Sequence, residues 1–364
     1  MKTSLTRRAG VASALKPFVN SRSLAGAVAL VANKATVLSL EAVGFADVAA
    51  RKRLKTDALF WIASMTKPIT GTALMLLVDE GKVRVDDPLE AYLPEFKDQW
   101  LSVEQDGEHV LLKRPRHPIT VRNVLTHTSG MPFSSAVETP TLDALPLRTA
   151  VRSYAMTPLQ FEPDTKYQYS NQGINAAGCI VETVSGMPYE DFLQERLFAP
   201  LGMRDTTFWP TRDQLGRLAK AYKPNVDKTD LEKTTISQLT YPLSDRRRQP
   251  MPAGGLFSTA RDLARFCQMV LNDGVFKGKR LVSAAAVRQM TSKQTGDAVP
   301  EGYGFGWATD GASFGHGGAL ATNMSIDTKR GLILVFLVQH AGFPGNGDQS
   351  FAAFKDAAEK AFGR

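Results

Sequence analysis

Hydrophobic and polar positions divide the chain of 364 residues into two strand-forming ends and a middle that favours helices. Residues 25–31 and 36–43 alternate or run apolar, as paired strands do, and the turn-forming pair Asn33 and Lys34 joins them. Residues 303–338 repeat the strand pattern near the other end of the chain. We expect the early and late strands to pair in one antiparallel sheet.

Helical spacing of apolar residues predicts a helix at each end of the chain and several in between. The first helix runs up to about residue 20, and an amphipathic helix over residues 349–362 closes the chain. These two helices are expected to flank the sheet. The remaining helical segments cover residues 68–78, 120–125, 173–184, 189–197, 258–272 and 283–291.

This order of elements predicts the α/β (α+β) fold class, with an antiparallel sheet flanked by helices and an inserted, mainly helical domain. Residues 1–85 and 253–364 are assigned to a discontinuous α/β domain. Residues 86–252, in which helices alternate with long loops and many prolines, are assigned to the helical insertion. A hydrophobic content of 43% in 364 residues is enough for a large core. We expect the functional site in the cleft between the two parts.

The net charge of +8 would be compatible with nucleic-acid binding. The basic clusters at residues 51–55, 113–116 and 246–248 are short, far apart and free of interleaved aromatic residues, so they indicate solvated surface and no nucleic-acid partner. No stretch approaches the roughly 20 apolar residues of a membrane span. Residues 1–8 are basic like the start of an export signal, but residues 9–15 are weakly apolar. The expected location is cytoplasmic, and a periplasmic or secreted protein with a trimmed export signal is the alternative.

Cysteine and histidine usage gives no sign of a metal or cofactor. Cys179 and Cys267 lie in apolar, helix-like segments, where cysteines are more often buried small hydrophobic residues than disulfide partners. Neither has metal-ligand spacing to another cysteine or to the five histidines, so no metal and no cofactor are predicted. His127 lies in a turn-like stretch and is expected to be a structural hydrogen-bonding residue.

The first chemical motif is Ser-x-x-Lys at Ser64 and Lys67, at the start of an apolar helix. Residues three apart share a helix face, so the Lys67 amine can reach and activate the Ser64 hydroxyl, which is otherwise a poor nucleophile. Pro68 is tolerated in the first helical turn, where free N–H groups and the helix dipole favour negative charge on the serine oxygen. The alternative is that Ser64 is only a helix N-cap. Ser13 fits the same pattern, but no long apolar helix follows it, and it is assigned to the surface.

A second motif, Tyr-x-Asn, occurs at Tyr169 and Asn171. A tyrosine hydroxyl can serve as a proton shuttle when a nearby cation favours its anionic form, and Lys67 is a candidate for that cation. The structural alternative is a turn tyrosine before the helix of residues 173–184, with Ser170 or Asn171 as the helix N-cap. The two interpretations are compatible.

A third motif, His-Gly-Gly-Ala, occupies residues 316–319 before a strand. Glycines at this place let the backbone approach a ligand closely, so that an amide here can complete an oxyanion hole. The alternative is a glycine-rich hairpin with an exposed histidine, His316. Ser313 lies in a Gly-x-Ser-x-Gly pattern like the nucleophile elbow of α/β-hydrolases, but an elbow opens a helix and no helical pattern follows Ser313.

The three motifs, in this order, resemble those of the penicillin-recognising serine hydrolases. That superfamily includes class C β-lactamases, penicillin-binding-protein-like D-Ala-D-Ala carboxypeptidases and family VIII carboxylesterases. The resemblance covers most of the chain and includes the Leu-Thr-His-Thr-Ser-Gly stretch at residues 125–130. It implies that Ser64 is the acylated nucleophile and that Lys67 and Tyr169 transfer protons. It also implies that the backbone amides of Ser64 and Ala319 form the oxyanion hole and that Asn171 lines the substrate pocket.

The third motif departs from the superfamily pattern. β-Lactamases and carboxypeptidases usually carry Lys-Thr-Gly where this chain has His316, Gly317 and Gly318. The change removes a permanent cation and a hydroxyl from the place where those enzymes hold a substrate carboxylate, and neutral imidazole cannot replace the cation. If His316 faces the cleft, its charge is expected to change near pH ~6.5. These three residues, with Asn171, are the predicted substrate-binding set.

The match is closest to the family VIII carboxylesterases, in which the third motif varies. We therefore expect a serine hydrolase that forms an acyl-enzyme on small, short-chain esters. A β-lactamase or a D-amino-acid peptidase or amidase is the alternative, and a non-catalytic binding protein is disfavoured because the catalytic positions are intact. Lys67 is the favoured base in acylation, because the missing lysine of the third motif leaves less positive charge to hold Tyr169 as phenolate.

Overall fold

The computed structural model of the chain describes residues 10–363. The basic segment of residues 1–8, considered above as the start of an export signal, lies outside the described residues. The strands of the described part are β1 (Gly26–Ala32), β2 (Val37–Asp47), β3 (Lys52–Arg53), β4 (Phe60–Trp61), β5 (Leu101–Gln105), β6 (Val110–Lys113), β7 (Ala221–Pro224), β8 (Leu231–Thr234), β9 (Phe257–Ser258), β10 (Val275–Phe276), β11 (Lys279–Arg280), β12 (Ala308–Thr309), β13 (Ser313–Gly317), β14 (Asn323–Asp327) and β15 (Leu332–Leu337).

Helices alternate with these strands. The α-helices are α1 (Lys16–Asn20), α2 (Thr66–Asp79), α3 (Val121–Thr126), α4 (Leu147–Ala155), α5 (Asn171–Ser185), α6 (Tyr189–Leu193), α7 (Ala199–Leu201), α8 (Arg212–Arg217), α9 (Ala260–Leu271), α10 (Ala284–Thr291) and α11 (Ser350–Phe362). A π-helical segment, Gln194–Phe198, joins α6 to α7, and short 3₁₀ turns occur at Val11–Leu15, Ala63–Met65, Leu89–Ala91, Pro94–Phe96 and Gly347–Gln349.

A seven-stranded antiparallel sheet, in the order β12-β13-β14-β15-β1-β2-β3, forms the centre of the structure. Strands β15 and β1 lie side by side near its middle, and both are buried along their whole length. They come from opposite ends of the chain, with Val28 opposite Leu337 and Leu30 opposite Val335. The predicted pairing of early and late strands and the predicted fold class are therefore confirmed.

Alternate residues of β1 enter two different hydrophobic cores, because successive side chains of a strand point to opposite faces of the sheet. Val28 and Leu30 belong to the larger core, which includes residues of α2, α5 and α9. Ala29 and Val31 belong to the smaller core, which includes Phe354 of α11 and residues of the first helical segment. The first and last helices flank the sheet as predicted, and the larger core connects the sheet to the middle of the chain.

The middle of the chain is more varied than the prediction. Helices α3, α5 and α6 lie where helical spacing places them, but α4, α8 and the hairpins β5–β6 and β7–β8 are additional elements. The β5–β6 hairpin gives no clear alternation because most of its side chains are exposed on both faces. The larger core contains residues from both parts of the chain, and the assignment of residues 86–252 to a separate insertion stays a prediction.

Arg248 corrects one sequence interpretation. Its basic cluster was expected on the solvated surface, but Arg248 is 2% exposed. Its Nε donates to Asp143 Oδ2 over 2.7 Å, and its Nη1 donates to the carbonyl oxygen of Phe208 over 2.8 Å. A buried guanidinium requires such partners, and a run of three arginines does not reveal which one has them. Its neighbour Arg246 lies 4.6 Å from the centre of the Trp209 ring.

Cys179 and Cys267 are free and buried, as predicted. None of the helices within residues 10–363 combines the length and the apolar character that crossing a membrane requires.

Candidate active site

Ser64 lies in the 3₁₀ turn that connects strand β4 to helix α2. Its neighbour Ala63 has a φ of +46°, a left-handed conformation that costs free energy for a residue with a Cβ. The Thr66 hydroxyl stabilises this turn by donating to the Ala63 carbonyl oxygen over 2.7 Å. Ser64 is partly exposed, while most of the helix that follows is buried. The turn therefore presents the serine at the surface of a fixed helix end.

The Lys67 amine lies in a fully buried position beside this serine. Its Nζ is 3.2 Å from Ser64 Oγ, 2.8 Å from Asn171 Oδ1 and 2.7 Å from the Ala253 carbonyl oxygen. Burial holds the pKa of Lys67 well below its usual range, because desolvation disfavours the ammonium form. The neutral amine is therefore favoured far more than in an exposed lysine.

The partners of Lys67 determine where the lone pair of the neutral amine points. A neutral amine has two N–H donors and one lone pair. The Asn171 side-chain oxygen and the Ala253 carbonyl oxygen can only accept hydrogen bonds, so the two N–H groups point to them. Ser64 Oγ is the third and longest contact, and its hydroxyl can donate. In the neutral form of Lys67 the lone pair therefore faces the Ser64 hydroxyl, which is the arrangement of a base and a nucleophile.

Tyr169 lies beside both Lys67 and Ser64. Its ring centre is 4.5 Å from Lys67 Nζ, and its hydroxyl is hydrogen-bonded to the Ser64 hydroxyl. Burial raises the pKa of Tyr169, and the hydrogen bond to Ser64 only partly offsets this effect. The neutral phenol is the stable form. Tyr169 is therefore placed to donate a proton near Ser64.

Helix α5 begins directly after Tyr169. Ser170 is its N-cap, because the Ser170 hydroxyl accepts a hydrogen bond from the Gly173 amide over 3.1 Å. Asn171 is the first residue of the helix and is 5% exposed. Its side-chain oxygen contacts Lys67, so Asn171 links the first two motifs directly. We call the group Ser64, Lys67, Tyr169 and Asn171 the helix wall, since each lies at or beside a helix N-terminus.

The third motif lies on β13 and in the turn after it. Gly318 packs closely against the segment before Ser64, because a Cβ added to it would lie 2.5 Å from the carbonyl oxygen of Ile62. A Cβ on Gly317 would meet nothing closer than 3.6 Å. Within residues 10–363, the N–H of Ala319 donates to no backbone carbonyl. We call residues 316–319 the strand wall.

His316 is held in one neutral form by its two hydrogen bonds. Its Nδ1 is 2.7 Å from the carbonyl oxygen of Gly317, which can only accept, so Nδ1 carries the proton. Its Nε2 accepts from the Tyr303 hydroxyl at 2.9 Å. Burial and the nearby Lys67 lower the pKa of His316 to about 3. This lowered pKa contradicts the expected change of charge near pH ~6.5, because desolvation of the ring and the nearby Lys67 both disfavour the charged form.

The two competing serines lie elsewhere. Ser313 is in strand β13, its hydroxyl donates to Asp310 Oδ2 over 3.0 Å, and strand β14 rather than a helix follows. Ser13 is exposed in the 3₁₀ turn near the start of the described chain. Both positions agree with the sequence interpretation that neither residue is the nucleophile.

Sequence reasoning missed two contributors to this arrangement. Ala253 enters only through its backbone oxygen, which no residue pattern displays. Tyr303 lies 13 residues before the histidine it contacts, in a glycine-rich stretch that we interpreted only as a strand. An aromatic residue with a hydroxyl among glycines was the only available signal.

Comparisons with known proteins place this geometry in a family. The Beta-lactamase family profile matches residues 11–358. Protein Rv1367c of Mycobacterium tuberculosis is 31% identical over 369 residues, which cover 91% of this chain and 90% of that protein. The chain therefore belongs to the Beta-lactamase family.

Solved structures show the same fold. EstCE1, a hydrolase with promiscuous acyltransferase activity, matches with a TM-score of 0.79 at 23% identity, over 96% of this chain and 97% of its own. Simvastatin synthase, LovD, from Aspergillus terreus matches with a TM-score of 0.79 at 22% identity, over 96% and 97% of the two chains. Both similarities cover the sheet and the helix-rich middle together.

Proposed function

We propose that this member of the Beta-lactamase family is a serine carboxylesterase that hydrolyses small, uncharged, short-chain esters through an acyl-enzyme. The observation that carries the reaction type is the contact of the buried Lys67 Nζ with Ser64 Oγ at 3.2 Å, beside two oxygen atoms that can accept the N–H groups of the neutral amine. The observation that carries the substrate class is the neutral His316 on the strand wall.

Acylation begins with transfer of the Ser64 proton to Lys67 while Ser64 Oγ attacks the ester carbonyl carbon. The negative charge that develops on the carbonyl oxygen is stabilised by the backbone amides of Ser64 and Ala319. When the tetrahedral intermediate collapses, the leaving alkoxide takes the proton of Tyr169, and the Lys67 ammonium returns a proton to Tyr169. The products are an alcohol and an ester on Ser64, and both Lys67 and Tyr169 are neutral again.

Deacylation repeats these proton transfers with water in place of Ser64. Water loses a proton to Lys67 as its oxygen attacks the acyl carbon, and the same two amides hold the oxyanion. Ser64 Oγ leaves and recovers a proton, which releases the carboxylic acid. Because Lys67 and Tyr169 are both buried enough to favour their neutral forms, one group accepts and the other donates at the same pH.

The strand wall favours an uncharged substrate. A substrate carboxylate near His316 would face a neutral ring whose only N–H is already bonded to the Gly317 carbonyl oxygen. A carboxylate that loses water without gaining a cation or a donor is destabilised. An ester without charge does not incur this cost. The description of EstCE1 as a hydrolase with promiscuous acyltransferase activity agrees with ester chemistry on this fold.

A substrate panel tests the proposal. The values of kcat/KM are measured for p-nitrophenyl esters of increasing acyl length, nitrocefin and a D-Ala-D-Ala peptide, with Ser64→Ala as the background control. We expect the short-chain esters to exceed the β-lactam and the peptide by at least 100-fold, an energy difference of about 2.7 kcal/mol. A higher kcat/KM for either the β-lactam or the peptide than for the best ester would refute the esterase assignment and favour the amidase alternative.

A further inference from the structure

His127 occupies an unusual position at the end of helix α3. It is the C-cap residue, its φ of +62° is left-handed, and its side chain is completely buried. A left-handed backbone is tolerated by histidine better than by most residues with a Cβ. The histidine lies 4.5 Å from Tyr169, measured between ring centres. It is therefore a direct neighbour of the helix wall.

His127 accepts hydrogen bonds from the backbone N–H groups of the residues before and after Tyr169. Its carbonyl oxygen accepts the N–H of Gln168 over 2.9 Å, and its Nδ1 accepts the N–H of Ser170 over 3.1 Å. These two hydrogen bonds and the ring contact hold the backbone and the side chain of Tyr169 against one residue. The segment before Tyr169 has no regular secondary structure and includes the exposed residues 164–166, so its own elements do not fix the phenol.

The hydrogen bond to Ser170 also determines the form of the His127 ring. Because Nδ1 accepts from a backbone N–H, the proton of the neutral ring is on Nε2. Among the residues described, Nε2 has no hydrogen-bond partner although it is buried. An apolar ring would fill the same space without this cost. The acceptor at Nδ1 is the feature that an apolar residue could not supply.

The same ring touches the support of the strand wall. The centres of the His127 and Tyr303 rings are 4.7 Å apart, and the Tyr303 hydroxyl donates to His316. His127 thus lies between the residue that we assign as proton donor and the tyrosine that fixes His316. This location distinguishes it from a helix cap with no relation to the site.

We propose that His127 is a positioning residue for Tyr169, which it holds at hydrogen-bonding distance from Ser64 through its Nδ1 acceptor, its carbonyl oxygen and its ring. The inference rests on the proposed function, because it assigns Tyr169 the donation of a proton to the leaving group. Loss of the Nδ1 acceptor lets the Ser170 amide and the Tyr169 phenol move. The step that becomes slower is the protonation of the leaving alkoxide by Tyr169.

The choice of leaving group separates this role from general stability. An alkyl ester releases an alkoxide that needs a proton, whereas p-nitrophenolate leaves without one. Tyr169→Phe and His127→Leu are therefore expected to lower kcat for an ethyl ester at least tenfold more than kcat for the p-nitrophenyl ester of the same acid, with KM nearly unchanged. In the Tyr169→Phe background, His127→Leu is expected to change the ethyl-ester kcat less than twofold.

The outcomes distinguish the two proposals. If Tyr169→Phe shows no preference between leaving groups, the role of Tyr169 fails and this inference fails with it. If Tyr169→Phe shows the preference and His127→Leu does not, only the inference about His127 is refuted. An undiminished effect of His127→Leu in the Tyr169→Phe background would also refute it, because His127 would then act independently of Tyr169.

Two further variants keep the test valid if His127→Leu does not fold. His127→Asn places a side-chain oxygen near the position of Nδ1 and tolerates a left-handed backbone, whereas His127→Gln places its oxygen nearer to Nε2. We expect His127→Asn to stay within about threefold of the parent on the ethyl ester and His127→Gln to be at least tenfold lower. Equal activity of the two variants on that ester would contradict the proposal.

Discussion

The helix wall and the strand wall supply different kinds of groups. The helix wall supplies side-chain atoms: the Ser64 hydroxyl, the Lys67 amine and the Tyr169 phenol, which contact one another. The strand wall supplies mainly backbone, with Gly318 packed against Ile62 and an Ala319 N–H that donates to no backbone carbonyl within residues 10–363. The side chain of the strand wall, His316, contacts Tyr303 and its own neighbour rather than Ser64.

From this difference we infer that the helix wall carries out the reaction and that the strand wall selects the substrate. Side chains on the helix wall are buried or linked in a single hydrogen-bonded group, so a change in one disturbs the others. On the strand wall, the side chain at position 316 can vary while the backbone keeps its place. We therefore expect helix-wall substitutions to slow charged and neutral substrates alike, and substitutions of His316 to change the ratio between charged and neutral substrates.

Removal of the nucleophile has the largest expected effect. Ser64→Ala should lower kcat by about 10⁶-fold, the scale known for loss of a nucleophilic serine, because among the residues described Ser64 has the only hydroxyl hydrogen-bonded to Lys67 Nζ. The measurement is ester hydrolysis together with covalent labelling by a fluorophosphonate. Ser13→Ala and Ser313→Ala are the controls and should keep both activities. Labelling that persists in Ser64→Ala would place the nucleophile elsewhere.

A matched pair of glycine substitutions tests the backbone role of the strand wall. In Gly318→Ala the new Cβ meets Ile62 O at 2.5 Å, so the turn that carries Ala319 must move. The loss of one oxyanion donor costs about 10²–10³-fold in kcat. We expect a loss of that size for Gly318→Ala and less than threefold for Gly317→Ala, measured on p-nitrophenyl acetate. Similar losses in the two variants would contradict the assignment of the oxyanion donor.

The pH dependence tests the separation of the walls. Lys67 must be neutral to act as base, so kcat/KM for a neutral ester should rise tenfold per pH unit below the pKa of Lys67 and level off above it. Burial lowers this pKa, so the plateau should begin below the usual lysine value of about 10.4. His316, with a pKa of about 3, stays neutral from about pH 5 upwards and adds no inflection.

The control for this profile is His316→Asn. It should reproduce the shape of the parent curve, because neither side chain changes charge in the range measured. An inflection near pH ~6.5 that is present in the parent and absent in His316→Asn would show that His316 titrates in the free enzyme. That result would restore the interpretation of His316 as a charge switch.

A new cation at His316 should have the smallest effect on rate and a clear effect on selectivity. His316→Lys offers the Tyr303 hydroxyl a charged partner and gives the strand wall an ammonium. A hydrogen bond to a charged group contributes about 1.5–3 kcal/mol, so the ratio of kcat/KM between a carboxylate-bearing ester and its neutral counterpart should rise about tenfold or more. His316→Asn should leave this ratio unchanged. An unchanged ratio in His316→Lys would show that position 316 does not contact the acyl group.

The strands of the sheet and the helix end that carries Ser64 could be predicted from the sequence, because both depend on the spacing of residues that are close together in the chain. The apolar run of β1 and the helix that follows Ser64 have strong periodicities, and a Ser-x-x-Lys spacing alone brings two side chains to one helix face. The order of the three motifs then indicated which residues meet. Their actual contacts follow from the packing of elements more than 100 residues apart, as between Lys67 and Asn171.

The partners and charge states could not be predicted from the sequence. Which of three consecutive arginines is buried depends on the position of Asp143, about 100 residues earlier in the chain. The pKa of His316 depends on burial and on the nearby Lys67, and neither can be recognised from the His-Gly-Gly pattern. The sequence shows that a residue is titratable, but the packed surroundings decide its charge.

The contact between Lys67 and the Ala253 carbonyl oxygen has an evolutionary consequence. Every amino acid carries a carbonyl group, so no single exchange at position 253 deletes this acceptor. The exchanges that can displace it fall on Asn175, whose side-chain oxygen binds the Ala253 amide over 2.9 Å. In a saturation mutagenesis library selected for activity, small side chains should therefore survive at position 253 while Asn175 stays nearly invariant. The surroundings of Lys67, the proposed base, thus depend on Asn175, which binds the Ala253 backbone rather than the Lys67 amine.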